Sequence, residues 1–206
     1  MSKRVKQLEQ QLEKRINMYR WDVINHLAQQ IGATSYLEIG LYASECFNAV
    51  QCEHKVSVDP KAKKRIDPTF VMTSDQFFDQ NKETFDIIFI DGLHENKQAY
   101  RDIINSLKYL NDGGVIVVHD CNPCTELAQK IPRDSQCWTG DVWKAWVQLR
   151  QELDKQMFVI DTDCGCGIIR DGQATKFVSS NPTYKDLKNN RTEMLNLISI
   201  EKFLCG

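Results

Sequence analysis

The sequence predicts an α/β fold in which a doubly wound, Rossmann-like, mostly parallel sheet is flanked by helices. Three observations carry that expectation. From residue 34 onward, short β-branched runs alternate with stretches of helical period. The runs Phe85 to Ile90 and Val115 to Val118 are apolar without a polar alternation, as strands buried on both faces of a parallel sheet require. Successive runs end in a carboxylate or hydroxyl, so the polar chemistry collects on one sheet edge.

Taken in order, residues 3–30 read as one helix, with Val5, Leu8, Leu12, Ile16, Tyr19, Val23, Ile24 and Leu27 apolar and Gly32 as its stop. Residues 36–39 form a first strand, 44–51 a short helix, and 55–59 a second strand closed by Pro60. Residues 70–72 read as a third strand and 74–80 as a helix. Residues 85–90 are a fourth strand and 96–110 a helix with Tyr100, Ile103, Ile104, Leu107 and Leu110 on one face. Asn111 to Gly114 reads as a turn before a fifth strand at 115–118. Residues 121–140 are irregular, a loop or lid, and Asp141 is placed to cap a helix running to about Leu153. Residues 157–161 and 166–170 then form a hairpin around Thr162 to Gly165, and a last helix spans about 192–204. With no repeat or linker in view, the chain reads as a single domain over 1–206, with an N-terminal helix (1–30), a core (34–170) and a tail (171–206).

Bulk properties narrow the partners. The 206 residues carry 26 basic and 28 acidic side chains, a net charge of −2 that offers no footprint for nucleic acid. The run Lys61 to Arg65 is most simply a solvated face. No apolar run reaches the roughly twenty residues of a membrane span, and the charged N-terminus lacks the apolar segment of a secretory signal, so a cytoplasmic location is expected. Eight cysteines in such a chain are expected as free thiols, although Cys121/Cys124 and Cys164/Cys166 have spacings that a structural zinc site also uses.

The strand ends hold the informative residues: Glu38 and Gly40 after the first, Asp59 after the second, Ser74 and Asp75 after the third, Asp91 and His94 after the fourth, His119 and Asp120 after the fifth. Gly40 is followed by Leu41-Tyr42-Ala43-Ser44, neither a G-x-G-x-x-G fingerprint nor a phosphate-loop lysine. An acidic edge with one tight-turn glycine suits a cationic ligand that carries a ribose, whose hydroxyls Asp59 can accept. S-adenosylmethionine has that chemistry.

The runs YLEIGLYASE, VSVDP and DIIFIDGLHENKQAYRDIINSLKYLNDGGVIVVHDCNP, with the later GDVWKAW, resemble the class I S-adenosylmethionine-dependent methyltransferases, nearest to the small group related to catechol and sugar O-methyltransferases. The resemblance covers about residues 34–170. It implies a seven-stranded sheet ending in an antiparallel hairpin. It puts Glu38 and Gly40 beside the cofactor's methionine moiety, Ser44 near its carboxylate, Asp59 on the ribose, Ser74 and Asp75 by the adenine, and Asp91 under the amino group or a metal. The second glycine of the strand-one loop is missing, with Tyr42 or Ala43 in its place.

For a hydroxyl acceptor the transfer needs alignment and a base. His94, three residues after Asp91, stands where catechol-type relatives place their base; a hydrogen-bonding role in the loop is the alternative. Those relatives also bind a divalent cation through the equivalents of Asp91 and Asp120 and a following Asn, but Cys121 stands in that last place and Asn122 one further on. His119 with Asp120 therefore reads either as a site for a softer metal or as an acid–base pair. Trp138, Asp141 and Trp143 are expected to flank the mouth of the site, Trp146 to anchor its helix in the core (an alternative also for Trp143), and Trp138 to wall a small-molecule acceptor such as a sugar hydroxyl. The other readings are a nucleotide-binding oxidoreductase, or an inactive interaction module whose N-terminal helix serves as a homodimer interface.

Overall fold

The computed structural model describes residues 18–61 and 67–206. The first part of the expected N-terminal helix and most of the Lys61 to Arg65 run lie outside the described residues. In chain order the elements are α1 (Arg20–Ile31), β1 (Ser35–Ile39), α2 (Glu45–Ala49), β2 (His54–Val58), α3 (Ser74–Gln80), β3 (Phe85–Ile90), α4 (Asn96–Ser106) and β4 (Leu110–Val118). They continue with α5 (Val142–Glu152), β5 (Gln156–Ile160), β6 (Cys166–Arg170), α6 (Tyr184–Leu195), β7 (Leu197–Ile198) and α7 (Ile200–Cys205).

The seven strands form one sheet in the order β2-β1-β3-β4-β6-β5-β7. β1 pairs in parallel with both β2 and β3, and β3 with β4, whereas β6 runs antiparallel to β4 and β5. Side-chain alternation divides the core into two faces. Leu37, Ile39, Ile88, Ile90, Ile116 and Val118 pack under α3 to α6, where Trp146 is fully buried as expected and Trp143 is fully buried rather than at the site mouth. Tyr36, Ile87, Phe89, Val115 and Val117 pack under α1, α2 and α7. The chain leaves β1 to one side for β2 and returns past it to β3. The carboxyl ends of β1 and β3 therefore flank the switch point where such sheets bind ligands.

Several expectations need correction. The single helix over 3–30 is interrupted: Tyr19 is an extended cap residue whose N–H donates to Asp22 Oδ2 at 2.9 Å, and α1 starts only at Arg20. The third strand shrinks to one bridge, Phe70 with Val58, because Thr73 already caps α3 and Val71 points to solvent. The seventh strand is instead β7, which pairs in parallel with β5. It splits the expected final helix, since Asn196 turns left-handed at φ 50° and ends α6. Asn111 to Gly114 lies inside β4, as a register shift between the pairs Phe85–Leu110 and Ile87–Val115.

Candidate active site

Gly40 ends β1 at φ +91°, and a Cβ there would stand 2.2 Å from the Asp91 carbonyl oxygen. Only glycine lets the two strand ends close so tightly. The next loop turns without a second glycine, because Tyr42 and Ser44 take the left-handed region themselves, at φ 41° and 60°. Asp59, at the end of β2, pins this loop. Its Oδ2 accepts from the Leu41 and Tyr42 amides at 3.0 and 3.4 Å, and its Oδ1 from the Lys61 amide at 2.8 Å.

Beyond the carboxyl ends of β3 and β4 lies a densely charged cluster. His94 Nε2 is 3.3 Å from Asp91 Oδ1, and its Nδ1 is 3.0 Å from Asp120 Oδ2. His119 is buried, its Nδ1 3.2 Å from Asp120 Oδ1 and 3.4 Å from Asp91 Oδ1, its Nε2 3.5 Å from Asp163 Oδ1. Arg20 donates through Nη1 to Asp91 Oδ2 at 2.6 Å and through Nε to Asp163 Oδ2 at 2.9 Å. Three carboxylates thus meet three cationic side chains.

Topology explains how distant residues meet here. α1 is followed directly by β1, so the helix starts over the carboxyl edge of the sheet and delivers Arg20 to it. Asp163 arrives from the β5–β6 turn, where it and Cys164 are left-handed at φ 43° and 62°. The Asp163 carboxylate also accepts the Arg20 backbone N–H at 2.9 Å, at the positive end of the helix.

The charges set one another's titration. Burial works against a proton on His94, but its contacts with Asp120 and Asp91 outweigh that and raise its pKa to about 10. His119 is likewise shifted well upward, against burial, by Asp91 and Asp120. Burial would raise Asp91 and Asp163, yet His119 with His94 and Arg20 holds Asp91, and His119 with Arg20 holds Asp163, far below the carboxylate range. Glu38 behaves in the opposite sense. It is 2% exposed on β1, and burial lifts it to about 8 despite a hydrogen bond from Tyr36 Oη at 2.5 Å.

The remaining expected residues fall around this cluster. Ser44 Oγ accepts from Asn48 Nδ2 at 3.2 Å. Ser74 and Asp75 open α3 and are joined to α4: Gln98 Nε2 donates to Ser74 Oγ at 3.1 Å, and Arg101 pairs with Asp75 at 3.2 Å. Trp138 stacks on His94 with ring centroids 5.1 Å apart, and the Arg133 guanidinium lies 5.7 Å from the Trp138 centroid. Asp141 begins α5, but its side chain does not cap that helix. Its Oδ1 accepts the Asn96 N–H at 2.8 Å, fastening the start of α4 beside His94.

Asp91, His94 and Asp120 each offer a ligand atom, all within 4.8 Å of one another. Spacing alone admits an ion, but the residue after Asp120 adds no further oxygen donor to Asp91 and Asp120. The Cys121 thiol is buried in the core toward the Val118 carbonyl, and the Asn122 amide donates to Asp161 and accepts from Arg191. The 121–124 and 164–166 segments do lie side by side, through Cys121 N–H to Gly165 O and Asn122 N–H to Cys164 O. Their thiols divide between core (Cys121, Cys166) and surface (Cys124, Cys164), and among the described residues they form no metal cluster.

Residue types alone did not single out Arg20, Asp163 or Tyr36. Asp163 was legible in principle: β5 points the same way as β4, so the carboxylates after it belong to the same edge.

The fold and this acidic, histidine-bearing edge define a methyltransferase class. The profile of a family described as a methyltransferase domain matches residues 17–121, and the chain belongs to that family. By family and fold it is a class I S-adenosylmethionine-dependent methyltransferase. No curated protein matches it in sequence. Among solved structures it is similar to the O-methyltransferase of tomaymycin synthesis from Streptomyces achromogenes, in complex with S-adenosylmethionine (15% identity, 74% of this chain and 80% of that one, TM-score 0.51). It is also similar to a methyltransferase from Podospora anserina bound to S-adenosylhomocysteine (15% identity, 75% and 78%, TM-score 0.54). A third likeness is to an O-methyltransferase from Bacillus cereus in complex with S-adenosylhomocysteine (15% identity, 80% and 88%, TM-score 0.50). Among the described residues, no helix is long and apolar enough to cross a membrane.

Proposed function

We propose that this chain transfers a methyl group from S-adenosylmethionine to a hydroxyl of a small polar acceptor, with a sugar hydroxyl as the working example. The observation that carries the reading is His94, suspended between Asp91 and Asp120 at the switch point. When bound, S-adenosylmethionine supplies an electrophilic methyl group on a sulfonium. Asp59 would accept the ribose hydroxyls, Ser44 would lie near the methionine carboxylate, and Ser74 and Asp75 would border the adenine. Glu38 and Asp91 would hold the methionine amino group, beside the tight turn at Gly40. Glu38 is largely protonated at neutral pH, so meeting an ammonium favours its ionised form.

At the acceptor, His94 takes the hydroxyl proton, while Asp91 and Asp120 orient its ring and stabilise its positive charge and His119 holds Asp120 from the other side. His94 must first be neutral, and its raised pKa makes that form the minority near pH 7. Trp138, which stacks on His94, borders the acceptor by its exposed edge.

Calorimetric titration tests the assignment. S-adenosylmethionine or S-adenosylhomocysteine should bind, and Asp59→Ala should lose most of that binding. No binding of either at millimolar concentration overturns the reading, whereas quenching by NAD(H) in their place would favour the oxidoreductase alternative.

A further inference from the structure

The Arg20 guanidinium lies where a metal-dependent relative would need open coordination at its equivalent of Asp91. Both Asp91 oxygens are engaged, Oδ2 by Arg20 at 2.6 Å and Oδ1 by His94 and His119 at 3.3 and 3.4 Å. Both Asp120 oxygens are engaged as well, by His94 at 3.0 Å and His119 at 3.2 Å. Arg20 is not a stray surface cation that an ion could push aside. Asp163 grips it through its backbone N–H and its Nε, both at 2.9 Å, and the Thr162 hydroxyl donates to the Met18 carbonyl just upstream. Asp163 belongs to none of the positions the resemblance assigns to a metal.

We propose that Arg20 is the resident cation of this site, a positioning residue that fixes Asp91 and excludes a divalent ion from Asp91, His94 and Asp120. The inference rests on the methyltransferase reading and adds that the transfer runs without a divalent metal. The physical reason is electrostatic. A dication reaching Asp91 must displace the Arg20 guanidinium from Oδ2, and Asp163 holds that guanidinium in place. Metal ligands have to be deprotonated, whereas arginine keeps its proton.

The test uses the full chain and free Mn²⁺ followed by electron paramagnetic resonance, with no cofactor or acceptor present. The wild type should leave the free Mn²⁺ signal unchanged at millimolar ion. Arg20→Ala should gain a site, at least about tenfold tighter than any wild-type binding, and Arg20→Lys should restore exclusion. If Arg20→Ala does not fold by circular dichroism, Arg20→Gln takes its place in the same measurement. Wild-type binding that Asp91→Asn abolishes overturns the proposal. So does a folded Arg20→Ala or Arg20→Gln that gains no site. Because Mn²⁺ binding is read apart from methyl transfer, either outcome leaves the cofactor titration to judge the functional reading independently.

Discussion

His94 sits within 3.3 Å of one carboxylate and 3.0 Å of another, so its chemistry depends on what those neighbours do. Removing the imidazole in His94→Ala should lower the turnover rate by about 100-fold or more while cofactor affinity stays within a few-fold. Full turnover in that variant would end its assignment as base. Asp120→Asn removes one of the charges that hold the proton, so the alkaline rise of the rate profile should move to lower pH. A profile that does not move would separate Asp120 from the base. Glu38 carries a second pH signature: cofactor affinity should rise with pH up to about 8, and Glu38→Gln should flatten that dependence in the same calorimetric series. At this scale the sequence was informative wherever a residue ends a strand, because the parallel sheet brings Glu38, Asp91, His94, His119 and Asp120 to one edge. It was silent on Arg20, which reads as one more charge in a basic, helical N-terminus until α1 is docked. It was misleading on Asp141, where a carboxylate ahead of one helix serves another.

Helices and strands were legible where period and apolar content agreed, as in α3, β3 and β6. They were missed where a local cap overrode the pattern. Tyr19 is a poor cap by type, yet Asp22 three residues on closes it, and a periodic run of 28 residues is cut there. Asn196 likewise stops a helical pattern by turning left-handed. Two element ends also carry predictions. Gly40→Ala places a methyl 2.2 Å from a backbone oxygen in a left-handed turn, and should cost roughly 2–5 kcal/mol in chemical denaturation. A cost under 1 kcal/mol would mean that the β1 and β3 ends can part. Asp141→Ala strips the Asn96 amide of its acceptor and should cost about 1–2 kcal/mol, read in the same way. It should also disturb His94, two residues upstream.

Across the molecule, the charged cluster ties α1, β3, β4 and the β5–β6 turn together, and so links stability to pH. His94 is raised to about 10, so its contribution is complete below the ordinary histidine value and fades as pH climbs through 10. Asp91, Asp120 and Asp163 are depressed, so theirs is present above the ordinary carboxylate value and lost as pH falls below it. Glu38, raised to about 8, withdraws stability as it ionises between its ordinary value and 8. Together these place the highest melting temperature on the mildly acidic side, at roughly pH 5–6.5. A melting temperature that stays flat from there to pH 9 would show that the cluster does not govern stability.

The loop over the site is closed by its own contacts. The Thr139 N–H donates to the Ala128 carbonyl at 2.9 Å, and Trp138 Nε1 to the Lys130 carbonyl at 2.8 Å. At its exit Gly140 lies so close to the His94 carbonyl that a Cβ would stand 1.7 Å from that oxygen, and the Asp141 N–H donates to the same carbonyl at 3.2 Å. The segment behaves as a cartridge seated on a fixed socket: the largely exposed residues 131–137 can diverge between descendants while Thr139, Gly140 and Asp141 keep the histidine in register. The exposed part of that cartridge can therefore be exchanged without rebuilding the cluster of His94, Asp91 and Asp120 beneath it.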